Sequence, residues 1–126
     1  MTEPLSVKAR RLRDDYRNGV HELLAPDLFP TEVANALIVA RRRGRILPGQ
    51  ELLYLADVMT TLPVIFPTLP ALLPRAAAIA AATPASVYDC LYVALAEREG
   101  CPFVTADDRL VRNLQAQFPF VLPLAS

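Results

Sequence analysis

A chain of 126 residues, 53% apolar and with a formal net charge of zero, can bury one core as a single domain, which excludes a disordered polyelectrolyte. Its two cysteines, Cys90 and Cys101, are spaced too loosely for a metal knuckle and read as reduced thiols of a cytoplasmic protein, and the lone His21 cannot build a histidine metal site. Residues 1–45 hold nine of the 13 Lys and Arg but six of the 13 Asp and Glu, a net +3, so the N-terminal third is the favoured face for a polyanion.

Pro4, Leu5 and Ser6 open a predicted helix that runs to about Asn18 and stops at Gly19. Leu5, Ala9, Leu12 and Tyr16 form its buried stripe, and Lys8, Arg10, Arg11, Arg13 and Arg17 face outward. Residues 22–26 read as a short strand. Asp27 is expected to cap a helix containing TEVANALIVARRRG, with Val33, Ala36, Leu37 and Ala40 inward and Gly44 as its stop. Glu32 in its first turn and Arg41, Arg42 and Arg43 in its last complement the helix dipole, which accounts for them without any ligand.

Pro48 and Gly49 introduce a third helix with Leu52, Leu55, Ala56, Met59 and Leu62 on one side. Leu53 and Tyr54 fall off that stripe and are candidates for a partner surface. Val64, Ile65 and Phe66 make a buried strand between prolines. The apolar run 62–82 is not a membrane span, because Pro63, Pro67, Pro70, Pro74 and Arg75 interrupt it. Pro74 starts an alanine-rich helix that ends near Thr83.

The stretch 86–110, SVYDCLYVALAEREGCPFVTADDRL, runs helix, strand and helix start together without filler. Tyr88, Leu91, Tyr92, Leu95 and Ala96 recur at helical spacing, Gly100 and Pro102 end that helix, and Phe103, Val104 and Thr105 form a strand. Asp107 or Asp108 caps a last helix to about Gln117, and Phe120, Val121 and Leu122 form a final strand. Ser86 and Asp89 fit a capping box, and Asp107 alone is a good N-cap. Acids in a first helical turn and at the carboxyl end of the next strand also lie where open α/β sheets place ligands, so spacing leaves both roles open. The order α, β, αα, β, αα, β, α, β predicts an α/β fold. Its parallel strands lie near 22–26, 63–67, 102–105 and 119–122, with helices on both faces.

Three motifs, APDLFPTEVANAL at 25–37, VYDCLYVALAEREG at 87–100 and FVTADDRL at 103–110, carry a family resemblance. In combination the chain resembles PIN-domain ribonucleases, the fold of VapC-type toxins of bacterial toxin–antitoxin pairs, over nearly its whole length. The resemblance implies a PIN-like three-layer fold and an acid cluster that holds Mg²⁺ or Mn²⁺. By position, Glu32, Asp89 and Asp107 are the catalytic metal ligands, with Thr105 and Asp108 supporting and Arg41, Arg42, Arg43 and Arg45 as candidate RNA contacts. Clustered carboxylates of this kind hold hard cations that activate water and offset charge on a phosphodiester. The implied partners are an RNA substrate, an antitoxin protein and a second copy of the chain, docked through Leu53, Tyr54 and the helices around 46–62, with no membrane.

The family's first strand, which ends in an Asp, has no counterpart here, and EPLSVKARRL resembles the family's segment after that strand. The chain therefore reads as N-terminally truncated relative to the family. The strands near 22–26 and 102–105, which flank the missing one, are expected to pair directly or to admit a segment of another chain. Two functions are implied: a metal-dependent endoribonuclease toxin, or a non-catalytic PIN-like module that binds an antitoxin-type partner or RNA.

Overall fold

The computed structural model describes residues 23–61 and 63–124, which fall into two compact units, 23–66 and 67–124. The helix expected over 4–18, His21, Glu22 and Leu62 lie outside the described residues.

In the first unit β1 (Leu24–Pro26) is followed by α1 (Phe29–Arg42), α2 (Gln50–Thr60) and β2 (Val64–Phe66). β2 runs parallel to β1, with Leu24 opposite Val64 and Pro26 opposite Phe66. The ladder extends one residue further, since the Asp27 N–H donates to the Phe66 carbonyl at 2.9 Å. The residue before the helix is Leu28, with no side-chain cap hydrogen bond, so Asp27 does not hold the capping position expected of it. Instead α1 starts after Leu28 with Pro30 in its first positions, where a missing N–H costs nothing. Val33, Leu37 and Ala40 are half-buried as expected, but Ala36 is exposed.

The phase of α2 also differs from the expectation, and the cause is one carboxylate. Gly49 precedes the helix at φ 94°, a left-handed conformation that glycine adopts without strain. Its N–H donates to Glu51 Oε2 at 2.9 Å, and the Arg41 guanidinium donates to Glu51 Oε1. Glu51 is thereby buried, 5% exposed, and ties the end of α1 to the start of α2. With Glu51 inward, Leu55 and Val58 follow at i+4 and i+7 as the half-buried side. Leu52, Ala56 and Met59, expected in the core, are exposed instead, alongside Leu53 and Tyr54.

In the second unit α3 (Leu72–Ala82) packs on α4 (Val87–Glu99), and then come β3 (Phe103–Thr105), α5 (Asp108–Leu114) and β4 (Val121–Pro123). α3 begins two residues before Pro74, which therefore sits in the first turn where it is tolerated. Leu72, Ala76 and Ile79 bury its inner side at i, i+4 and i+7. α4 is the core element: Cys90, Leu91, Val93, Ala94, Leu95 and Ala96 are all buried, the mark of a helix covered on every side. Arg75 of α3 clamps Glu97 of α4 with two hydrogen bonds of 2.8 and 2.9 Å, and its guanidinium carbon lies 6.0 Å from the Phe118 ring centroid. β3 and β4 are parallel, with Phe103 opposite Val121 and Thr105 opposite Pro123. The α/β character with short parallel strands is thus as expected. Both ladders fall within units, however, so direct pairing of the strands near 22–26 and 102–105 is not among them.

Cys90 and Cys101 are free thiols whose pKa values burial pushes up. Among the described residues no single helix is long and apolar enough to cross a membrane. α3 and α4 would pass only as a pair, and a bend of 118° separates them.

Two carboxyls are held below their ordinary value of 4.5: Glu51 by its own backbone N–H, Arg41 and Gly49, against burial, and Glu97 by Arg75. A lowered folded-state pKa contributes stability that is present above 4.5 and lost as pH falls toward the folded value. Urea-unfolding midpoints should therefore drop below pH 4.5. The double variant Glu51→Gln, Glu97→Gln should be less stable at neutral pH and show a shallower acid loss.

Candidate functional site

The site is built on the entry to α4 and the exit from β3. Ser86 holds extended backbone, φ −74° and ψ 160°, and its Oγ accepts from the Asp89 N–H at 3.1 Å. This is one half of the capping box. The reciprocal bond from the Asp89 carboxylate is not formed among the described residues, so the half-buried Asp89 side chain is not committed to the cap. Asp107 behaves differently. Its Oδ1 accepts from the Leu110 N–H at 3.1 Å and caps α5, while Thr105 Oγ1 accepts from the Asp107 N–H at 3.1 Å. Asp108 is the exposed first residue of α5. Capping thus accounts for one oxygen of Asp107 and for Ser86, but not for the carboxylate of Asp89.

The path from α4 to β3 is set by a turn and a ring stack. Gly100, at φ 66°, turns the chain at the end of α4. Tyr92 then stacks on Phe103, with ring centroids 5.7 Å apart and planes inclined by 15°. Tyr92 lies about 12 Å up the helix from Gly100 at 1.5 Å per residue, so Phe103 reaches it only if β3 folds back along α4. From that contact, about one helical turn leads to Tyr88 and Asp89, and two strand residues, about 6.6 Å, lead to Thr105. β3 thus runs back toward the edge of the unit at which α4 starts, the edge that carries Tyr88 and Asp89. Tyr88, expected on the buried side of the helix, is 67% exposed at that same edge.

Glu32 and the arginines belong to the first unit. Glu32 stands exposed in the first turn of α1, its N–H bonded to the Leu28 carbonyl at 3.0 Å. Arg41 is neutralised by Glu51, a pairing that sequence spacing did not reveal. Arg42, Arg43 and Arg45 are exposed and form no ion pair among the described residues. The donors at the edge of the second unit are hard oxygens. Mg²⁺ commonly takes one or two carboxylates and completes its shell with water and substrate phosphate, a requirement that Asp89 and Asp107 meet in chemical type. Among the described residues, no group of three or more His, Cys, Asp or Glu could hold a metal ion.

The contrast between the two acids is measurable. Asp107→Ala should lose about 1 kcal/mol of stability with its cap, whereas Asp107→Asn keeps a capping oxygen. Asp89→Asn should stay within about 0.5 kcal/mol of the parent. Urea midpoints at neutral pH check all three.

No curated protein matches the sequence. The model of the PIN domain family matches residues 2–114, which spans both units through the end of α5. PIN domains are generally nucleases that use divalent metals. With most of its length covered by that match, the chain belongs to the PIN-domain family.

Proposed function

We propose that this chain is a divalent-metal-dependent endoribonuclease, the toxin of a toxin–antitoxin pair, and that it hydrolyses RNA phosphodiesters at the edge carrying Asp89 and Asp107. The observation that supports this reading most is the Asp89 carboxylate. It is half-buried and left out of its own cap, and β3 runs back toward the start of α4, where it stands.

Asp89 and Asp107 are the ligands in this reading, and Glu32 answers to the family's second acid by sequence position alone. A bound Mg²⁺ or Mn²⁺ would activate water and offset the charge that develops on the phosphate. Thr105 fixes the backbone of Asp107 through the 3.1 Å hydrogen bond, and the Leu110 N–H holds Oδ1 in the cap, which does not use Oδ2. Asp108 adds negative charge beside it. Arg42, Arg43 and Arg45 are the cations open to RNA phosphates, while Arg41 serves the Glu51 latch. Leu52, Leu53, Tyr54 and Met59 on α2 form an exposed apolar surface suited to a second copy and to an antitoxin. An RNA substrate and two free thiols are in keeping with a cytoplasmic protein.

The test is cleavage of single-stranded RNA with Mg²⁺ or Mn²⁺. Metal contributions of several kcal/mol correspond to about a hundredfold or more in rate, so Asp89→Asn and Asp107→Asn should each lose at least that, and chelation should abolish cleavage. Metal-independent cleavage, or RNA binding by the parent without cleavage, would overturn the nuclease reading in favour of a binding module.

A further inference from the structure

The aromatic side chains at the carboxylate edge form a series with an open end. Tyr92 and Phe103 stack on one another between α4 and β3. Tyr88 lies four residues before Tyr92, on the same side of α4 and one turn nearer the edge. A tyrosine on that side of a core helix is expected to be covered. Tyr88 is nevertheless 67% exposed, and among the described residues it makes no ring contact and no hydrogen bond. Single exposed apolar residues are ordinary, so exposure alone assigns nothing. Position does. Tyr88 is adjacent in sequence to Asp89 and stands one helical turn from Tyr92, whose ring stacks on Phe103 of β3.

An aromatic face open to water beside oxygen ligands for a phosphate-bound cation has the composition of a nucleotide site. The carboxylates address the backbone and the ring addresses the base. Unpaired bases stack on Tyr, Phe or Trp with little regard to sequence, because every base has a π-face. A base inside a duplex has both faces covered by its neighbours. Resting on the nuclease reading, we propose that Tyr88 is the stacking platform for an unpaired nucleobase next to the phosphate handled by Asp89 and Asp107. It acts as a positioning residue that selects single-stranded RNA.

The chain contains no tryptophan, which makes the experiment direct. In an Asp89→Asn background, where RNA is not consumed, Tyr88→Trp introduces a single fluorophore at the proposed platform. Titration with a short oligoadenylate in the presence of Mg²⁺ should quench its emission, and a duplex of the same length should not. By polarisation of a labelled oligoadenylate, Tyr88→Ala should weaken binding about tenfold to a hundredfold, while Tyr88→Phe stays within about twofold. Because Tyr88 is exposed and Phe and Trp retain an aromatic face, these variants separate stacking from folding. Unchanged affinity of Tyr88→Ala, or equal quenching by duplex, overturns the stacking role and leaves the nuclease reading intact. Absence of RNA binding by the Asp89→Asn variant and by the unsubstituted chain alike overturns both.

Discussion

The burial of α4 is the constraint on which the second unit depends. From Cys90 to Ala96 only Tyr92 is not fully buried. Each of Leu91, Val93 and Leu95 contributes roughly 1.5–3 kcal/mol by leaving water. A helix covered on so many sides cannot rotate by one residue, about 100°, without exposing part of that core. Its orientation then fixes what its ends present. Ser86 starts it, Gly100 stops it with a left-handed turn, and the Tyr92–Phe103 stack brings β3 back along it. Asp89 is placed by the core packing that begins at the next residue, Cys90, and Asp107 by the strand that this packing folds back.

The first unit has a different basis. α1 has no fully buried residue, and the one buried residue of α2 is Glu51. A carboxylate that receives Arg41 and the Gly49 N–H sets the helix pair where apolar burial does little. Breaking one partner would leave a charge without compensation, so the latch is specific even though its net contribution is small. The outcome is a helix whose leucines face water. This supports the proposed association through α2, since an apolar surface of that kind marks interaction sites.

Much of this was legible in the sequence. The order of strands and helices came from periodicity and from punctuation by glycine and proline. The Ser86, Gly100 and Asp107 caps came from local chemistry, which needs no tertiary knowledge. The errors had separate causes. Asp27 reads as a cap, but the helix starts one residue later, after Leu28. The phase of α2 reads from its leucines until a carboxylate ten residues from Arg41 turns inward. Tyr88 reads as core because periodicity records which side a residue is on and not where the covering elements end. Asp89 is ambiguous for a related reason: a capping box and a ligand have the same spacing, and among the described residues the reciprocal capping bond is not formed.

Membership of the PIN-domain family and the return of β3 along α4 support the metal-binding role proposed for Asp89 and Asp107. The central claim is that this edge binds a divalent cation, and it can be tested without any substrate. In amide NMR spectra, substoichiometric Mn²⁺ should broaden the resonances of residues 87–90 and 105–109 first, and the Asp89→Asn substitution should remove that broadening. Broadening centred instead on Glu97 and Glu99, at the opposite end of α4, or spread evenly over all carboxylates, would contradict it.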